Sequence, residues 1–303
     1  MKFRKKNTCS DYMSYYEQQQ EPKQHGKFYL TVRRFCRNKA AVAGLIFIVL
    51  LILGAIFAGK LTPYAFDTQD LSQRLQYPSK DHIMGTDDFG RDIFTRILYG
   101  GRISLLVSAM TVAIGTFFAL IIGSVSGYAG GKVDMVIMRI TDIFLALPGM
   151  IFAMVISAAL GSGLVNTAIA LAISSIAPMT RQIRSSILLI KNQEYIEASR
   201  AFGGSHFHVV ISHVIPNSLT PVIVQASMSL GDTIMGIAGL SFLGLGVQPP
   251  TPEWGNMLSA AQKYVDSFLP MMLWPGLAIA LTMLSFNMLG DGIRDALDPR
   301  MKL

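Results

Sequence analysis

Long apolar runs alternate with short polar ones along this chain, and the length of each run predicts its element. No formal charge interrupts the 20 residues between Lys39 and Lys60, the 29 between Arg102 and Lys132, the 38 between Asp142 and Arg181, or the 24 between Asp266 and Asp291. A lone Asp232 divides two further uncharged stretches. About 20 apolar residues suffice for a helix to cross a hydrocarbon core roughly 30 Å thick. The pattern therefore predicts an all-α membrane protein with six spans, at 40–59, 103–128, 136–160, 164–188, 214–240 and 269–290. Gly127–Gly131 and Gly161-Ser162-Gly163 read as tight turns between spans. The division that follows is a tail at 1–39, a first span, an outer polar segment at 60–101, a five-helix core at 102–293 and a tail at 294–303.

Composition supports this class. Charged residues make up 15% of the chain, against about 25% in a typical soluble domain. Ten Lys/Arg against three acids in residues 1–39 place that tail on the cytoplasmic side. Six spans then return the C-terminus to the same side, whereas five would leave one end outside against the charge bias. The net charge of +7 reports topology and anionic lipid rather than nucleic acid. The charged leader before the first span is too long for a signal-peptide n-region and no A-x-A site follows it, so the span reads as a retained helix. Residues 1–27 are polar and Gln/Lys-rich, a composition that favours disorder, and Lys27–Lys39 reads as a basic anchor ahead of the span. Cys9 and Cys36 both fall in the tail, where a reducing cytoplasm disfavours a disulfide.

Several residues invite a chemical reading. Arg139 and Asp142, one turn apart, are expected to pair with each other. Asp232 is nearly alone in apolar sequence; it faces a pathway and meets a cation, pairs with a polar group of a partner, or lies near the interface. Met228 and Met235 flank it as candidate pathway residues, although methionine is also a common gap-filler. His206, His208 and His213 fall within eight residues, but the segment gives a metal site little support. Trp254 and Trp274 are expected to anchor span 6 at the interface. Pro148, Pro178 and Pro275 are expected to kink spans 3, 4 and 6. The glycine-rich run Gly236–Gly246 permits close helix packing, against a partner's equivalent if the chain has one.

No catalytic engine is visible. Gly131-Lys132 lacks the glycine and the Ser/Thr of a nucleotide-binding loop, and Gly244-Leu245-Gly246 meets Pro249 where a dinucleotide motif needs glycine. Gly231-Asp232 and Gly290-Asp291 lack the preceding glycine of an intramembrane aspartyl protease. Energy must therefore come from a gradient or a partner. The longest polar interruption inside the core, Glu194–Pro216, is a short helix ended by Gly203-Gly204 and placed on the cytoplasmic side. Its position lets a partner approach at Glu197, Ala198 and Gly203; an ordinary connector is the alternative.

Glu197-Ala-Ser-Arg-Ala-Phe-Gly203, then nine residues, then His213-Val-Ile-Pro216 resembles the EAA loop of ABC import permeases. Ser199 replaces the second alanine of that loop, and His213 and Ile215 replace its Ile and Leu. Met84-Gly-Thr-Asp-Asp-Phe-Gly-Arg-Asp-Ile93, the run Leu240–Gly255 and the run Phe286–Pro299 resemble the C-type permease subunit of peptide/nickel importers, so the likeness reaches from about residue 30 to the C-terminus. The resemblance implies a type I importer permease fold with a coupling helix at about 191–206. Glu197, Ala198, Ser199, Arg200, Gly203 and Pro216 would form the ATPase-coupling set; Met228, Asp232 and Met235, read from the residues alone, are the candidate pathway lining. It also implies a homologous permease partner, two ATPases carrying ATP and Mg, an extracytoplasmic binding protein and a bacterial inner-membrane location; this chain would bind no cofactor and would not be an enzyme. Di- or oligopeptides are the expected cargo. Nickel or a metal chelate is the alternative within the family, because Gly236 and Ile237 stand where many peptide-type relatives carry an acid. A stand-alone secondary transporter would show internal repeats and more intramembrane charge, and an intramembrane enzyme a nucleophile–base pattern; neither is found.

Overall fold

The computed structural model describes residues 27–297. The polar stretch read at 1–26 and the final residues 298–303 lie outside the described part. Among the described residues the chain is helical, with one isolated antiparallel bridge between Thr86 and Asp92. The helices are α1 (Lys27–Arg37), α2 (Lys39–Ile56), α3 (Ala58–Leu61), α4 (Ile93–Ala129), α5 (Gly131–Leu145) and α6 (Gly149–Leu160). They continue with α7 (Leu164–Ile190), α8 (Glu194–Ala201), α9 (His206–Val209), α10 (Ile215–Phe242), α11 (Trp254–Ala261) and α12 (Pro270–Leu297). Five are long and apolar enough to cross a membrane: α2, α4, α7, α12 and the continuous helix from His206 to Phe242.

Span 3 differs from its prediction. Instead of one helix over 136–160, α5 and α6 meet at an angle of 85°. Pro148 at the break has no N–H to continue the ladder, and its ring disfavours helical geometry at Leu147. Pro178 and Pro275, also expected to kink their helices, sit inside α7 and α12, which run through them. Span 2 begins ten residues before its apolar run. Asp92 caps α4 by accepting from the Thr95 N–H at 2.7 Å, so residues 93–101, assigned to the outer segment by composition, belong to the helix.

Helix packing is set by small residues. Gly115, Ala119, Gly123 and Gly127 repeat at i+4 and are buried along one face of α4. A Cβ at Gly123 or Gly127 would stand 3.0 or 2.9 Å from Ile183 or Ile187 of α7, so this stripe lets the two helices close together. Two glycines of the 236–246 run meet residues of the same chain, Gly236 facing Leu171 and Gly239 the methyl of Met150, whereas a Cβ at Gly244 would meet open space. Those two contacts need no partner.

Two faces result, a tail face bearing α1 and α8 and a loop face bearing α11. On the loop face the 60–92 segment is held by polar pairs that are almost fully buried. Asp87 accepts from Arg91 Nε at 2.6 Å, and His82 Nδ1 lies 2.9 Å from Asp92. Trp254, expected at the interface, is completely buried in the core with Ile48, Ile97, Met257 and Phe286. Its indole N–H donates to the Ile97 carbonyl at 3.0 Å, and Gly100 and Gly101 leave room for the ring. Trp274 is half-buried against the same core. Glu253 is also buried; it caps α11 by accepting from the Gly255 and Asn256 N–H groups at 2.9 and 3.0 Å. Burial pushes its carboxyl above the ordinary range, against the pull of those hydrogen bonds.

Candidate functional site

The tail-face connector between α7 and α10 is built on a fixed base. Asp134, in the first turn of α5, accepts from Ser126 at the end of α4 at 2.5 Å and takes two bonds from Arg184 of α7, each 2.5 Å. Lys191, just past α7, donates to the Gly127 carbonyl at 3.0 Å. Asp142 pairs with Arg181 of α7 instead of Arg139, which is exposed and has no ion pair among the described residues. The expected i,i+3 pair is worth only a few tenths of a kcal/mol, so the guanidinium brought in by helix packing displaces it. These contacts hold the ends of α4, α5 and α7 together beneath α8.

The eight residues of α8 make too few hydrogen bonds to persist alone. Glu194 and Glu197 in the first turn complement the helix dipole. The seat is Ile196, fully buried among Ile187, Val209, Val214 and neighbouring apolar side chains. The far end closes with Gly203 at φ +85°. Its N–H donates to the Arg200 carbonyl at 2.9 Å and that of Gly204 to the Ser199 carbonyl at 3.0 Å, the paired bonds of a Schellman cap. Ser205 then caps α9 by accepting from the His208 N–H. A π turn over Val210–Val214 follows, immediately before Pro216, which cannot supply the next α-helical N–H.

With Ile196 inward, the opposite side of α8 is exposed. Glu197, Ala198, Ala201 and Gly203 are exposed, and Ser199 is half-buried. Arg200 reaches back over the Tyr128 ring, 5.0 Å from its centroid, and Tyr128 Oη lies 3.0 Å from His206 Nδ1. Pro216 is exposed at the start of α10, apart from the α8 surface. The three histidines do not converge: His206 meets Tyr128, and His208 stacks edge-on with His213. Sequence reasoning missed the apolar part of this face. Phe202 is 92% exposed and Phe207 78% exposed, beside Glu197 and the glycine turn. The available signal was phenylalanine inside an otherwise polar connector.

A second feature is a cavity of about 360 Å³ between α7 and α10, lined by Ser174, Ser175, Gln182, Gln225, Ser229 and Asp232 among others. Asp232 is exposed there and has no ion pair among the described residues. The predicted trio is split. Met228 packs across Gly290 of α12, and Met235 is exposed outside the lining. Polar residues at helical spacing on two facing helices carry this groove, a pattern hidden within runs that read as apolar.

Comparison with known proteins fits this arrangement. Residues 115–303 match the family described as binding-protein-dependent transport system inner membrane component, and residues 28–78 match the N-terminal TM domain of oligopeptide transport permease C. The dipeptide transport system permease protein DppC of Alkalihalophilus pseudofirmus is 47% identical over 266 residues, 88% of each chain. The glutathione transport system permease protein GsiD of Pectobacterium atrosepticum is 43% identical, covering 89% of this chain and 90% of that one. The di/tripeptide transport system permease protein DppC of Pseudomonas aeruginosa is 40% identical, covering 88% and 90%. The crystal structure of an amino acid ABC transporter with histidines superposes with a TM-score of 0.52 at 16% identity, over 66% of this chain and 92% of that one, which shows a shared fold. The chain therefore belongs to the binding-protein-dependent transport system inner membrane components, as a C-type ABC importer permease of type I fold.

Proposed function

We propose that this chain, with a homologous permease, forms the translocation pathway for di- or oligopeptides handed over by an extracytoplasmic binding protein, and that two partner ATPases, which carry ATP and Mg, drive it. The observation that carries this reading is the α8 connector, a surface of Glu197, Ala198, Gly203, Phe202 and Phe207 standing exposed on a buried Ile196 seat. A rigid short helix with an exposed apolar and acidic face is suited to receive push and pull from a soluble partner. The clamp of Asp134, Arg184 and Lys191 passes that displacement to α4, α5 and α7. Ser199, Arg200 and Pro216 act by supporting this surface: Ser199 within the cap, Arg200 through Tyr128, and Pro216 where the connector enters α10.

The α7–α10 groove is the pathway half contributed by this chain, with Asp232 inside it; Met228 packs against α12 and Met235 is exposed, both outside the groove's lining. The named relatives carry dipeptides, tripeptides or glutathione, which favours peptide over the nickel alternative. The charge bias of the first 39 residues puts the tail face, and both termini, in the cytoplasm. The test is Glu197→Lys in the reconstituted importer. It is expected to abolish uptake of labelled dipeptide and loosen ATPase copurification; unchanged uptake and copurification would overturn the coupling assignment. Uptake of nickel but not dipeptide by the wild-type assembly would overturn the cargo.

A further inference from the structure

The proposed function leaves α1 without a task. Its sequence, KFYLTVRRFCR, contains no acid. One side is fixed to the end of α12: the Phe35 ring covers Gly292, and Asn38 Nδ2, which follows α1, donates to Asp295 at 3.1 Å. Tyr29, Val32, Arg33, Cys36 and Arg37 are exposed on the other side. At 100° per residue these five fall on one strip, with Tyr29, Val32 and Cys36 along one edge and the two arginines along the other. Neither Arg33 nor Arg37 has an ion pair among the described residues.

The level of this strip is set by α2, which begins directly after Asn38. Leu45, Ile46, Val49 and Leu50 of α2 are exposed apolar side chains, the surface expected against acyl chains. The strip therefore sits where hydrocarbon gives way to headgroups. A helix divided lengthwise into apolar and basic edges suits that boundary. Guanidinium groups present a fork that matches phosphate oxygens. A zwitterionic headgroup brings its own cation, so the preference is for a net negative lipid.

We propose that α1 is an anionic-phospholipid site, in which Arg33 and Arg37 hold headgroup phosphate while Tyr29 and Val32 rest at the acyl boundary. Through Phe35–Gly292 and Asn38–Asp295 this site fixes the first and last spans to the same leaflet. To test it, the full chain carrying Cys9→Ser is labelled with a fluorophore at Cys36 and reconstituted in phosphatidylcholine with a minor fraction of phosphatidylglycerol. Bromine is placed on the acyl chains of one lipid or the other at equal fraction. Brominated phosphatidylglycerol is expected to quench more strongly. The Arg33→Gln/Arg37→Gln variant, altered at exposed positions only, is expected to lose that preference about tenfold or more, since each basic residue near an anionic surface is worth ~1 kcal/mol. Equal quenching by both lipids, no quenching by either, or an excess that persists in the variant would overturn the proposal.

Discussion

Ile196 and Phe202 lie six residues apart on the same connector, and the structure gives them opposite environments, so truncating each makes opposite demands on one assay. Ile196→Ala removes three carbons from a fully buried site lined by Ile187, Val209 and Val214. At ~0.8 kcal/mol per buried carbon plus a cavity term, the loss is about 3 kcal/mol. Because α8 has no other buried residue, that loss falls on the local opening of the connector. Amide exchange over residues 194–204 of the purified chain should accelerate roughly a hundredfold, with α4 and α7 unchanged. Phe202→Ala, at a side chain 92% exposed, should shift the same exchange by less than about 0.5 kcal/mol while weakening ATPase retention. If Ile196→Ala leaves exchange unchanged, or Phe202→Ala accelerates it equally, the seat-and-surface division is wrong.

Two further substitutions test the loop face. Glu253 has its folded pKa raised by burial, so its contribution to stability is full below the unfolded value of about 4.3 and declines as pH rises through the folded value. In thermal melts, the stability of wild type relative to Glu253→Gln should therefore fall from pH 5 to pH 8; a relative rise would mean a carboxylate stabilised as the anion. Trp254→Phe removes the 3.0 Å bond to Ile97 and opens a void beside Gly100 and Gly101. It should destabilise the chain by about 2 kcal/mol, read as a lowered unfolding midpoint in detergent, whereas an interfacial anchor would lose little.

The spans were legible because absence of charge over 20 or more residues is a property of composition, and lipid imposes it locally. Partner choice inside the bundle is not local. Asp142 had Arg139 one turn away and took Arg181 of α7. Trp254 carried the composition of an anchor, but paired glycines on α4, far earlier in the chain, made a slot for it. Three prolines gave the same sequence signal, yet only Pro148 lies at a break; whether a helix survives a proline depends on how neighbours satisfy the freed carbonyl.

The connector shows both sides of this limit. Its candidacy as a partner contact came from the sequence, where no nucleotide-binding motif is visible and one polar interruption inside the core resembles a coupling loop. Which of its apolar residues faces in was not readable, since Ile196 and Phe202 are equivalent to any composition measure. The distinction arises from the Schellman turn at Gly203, which reverses the chain after about two helical turns and sends Val209 and Val214 back against Ile196. A turn that folds the connector onto its own buried anchor opposes its bending. Stiffness is the property a short helix needs if force applied at Phe202 and Glu197 is to reach α4, α5 and α7 instead of bending the loop.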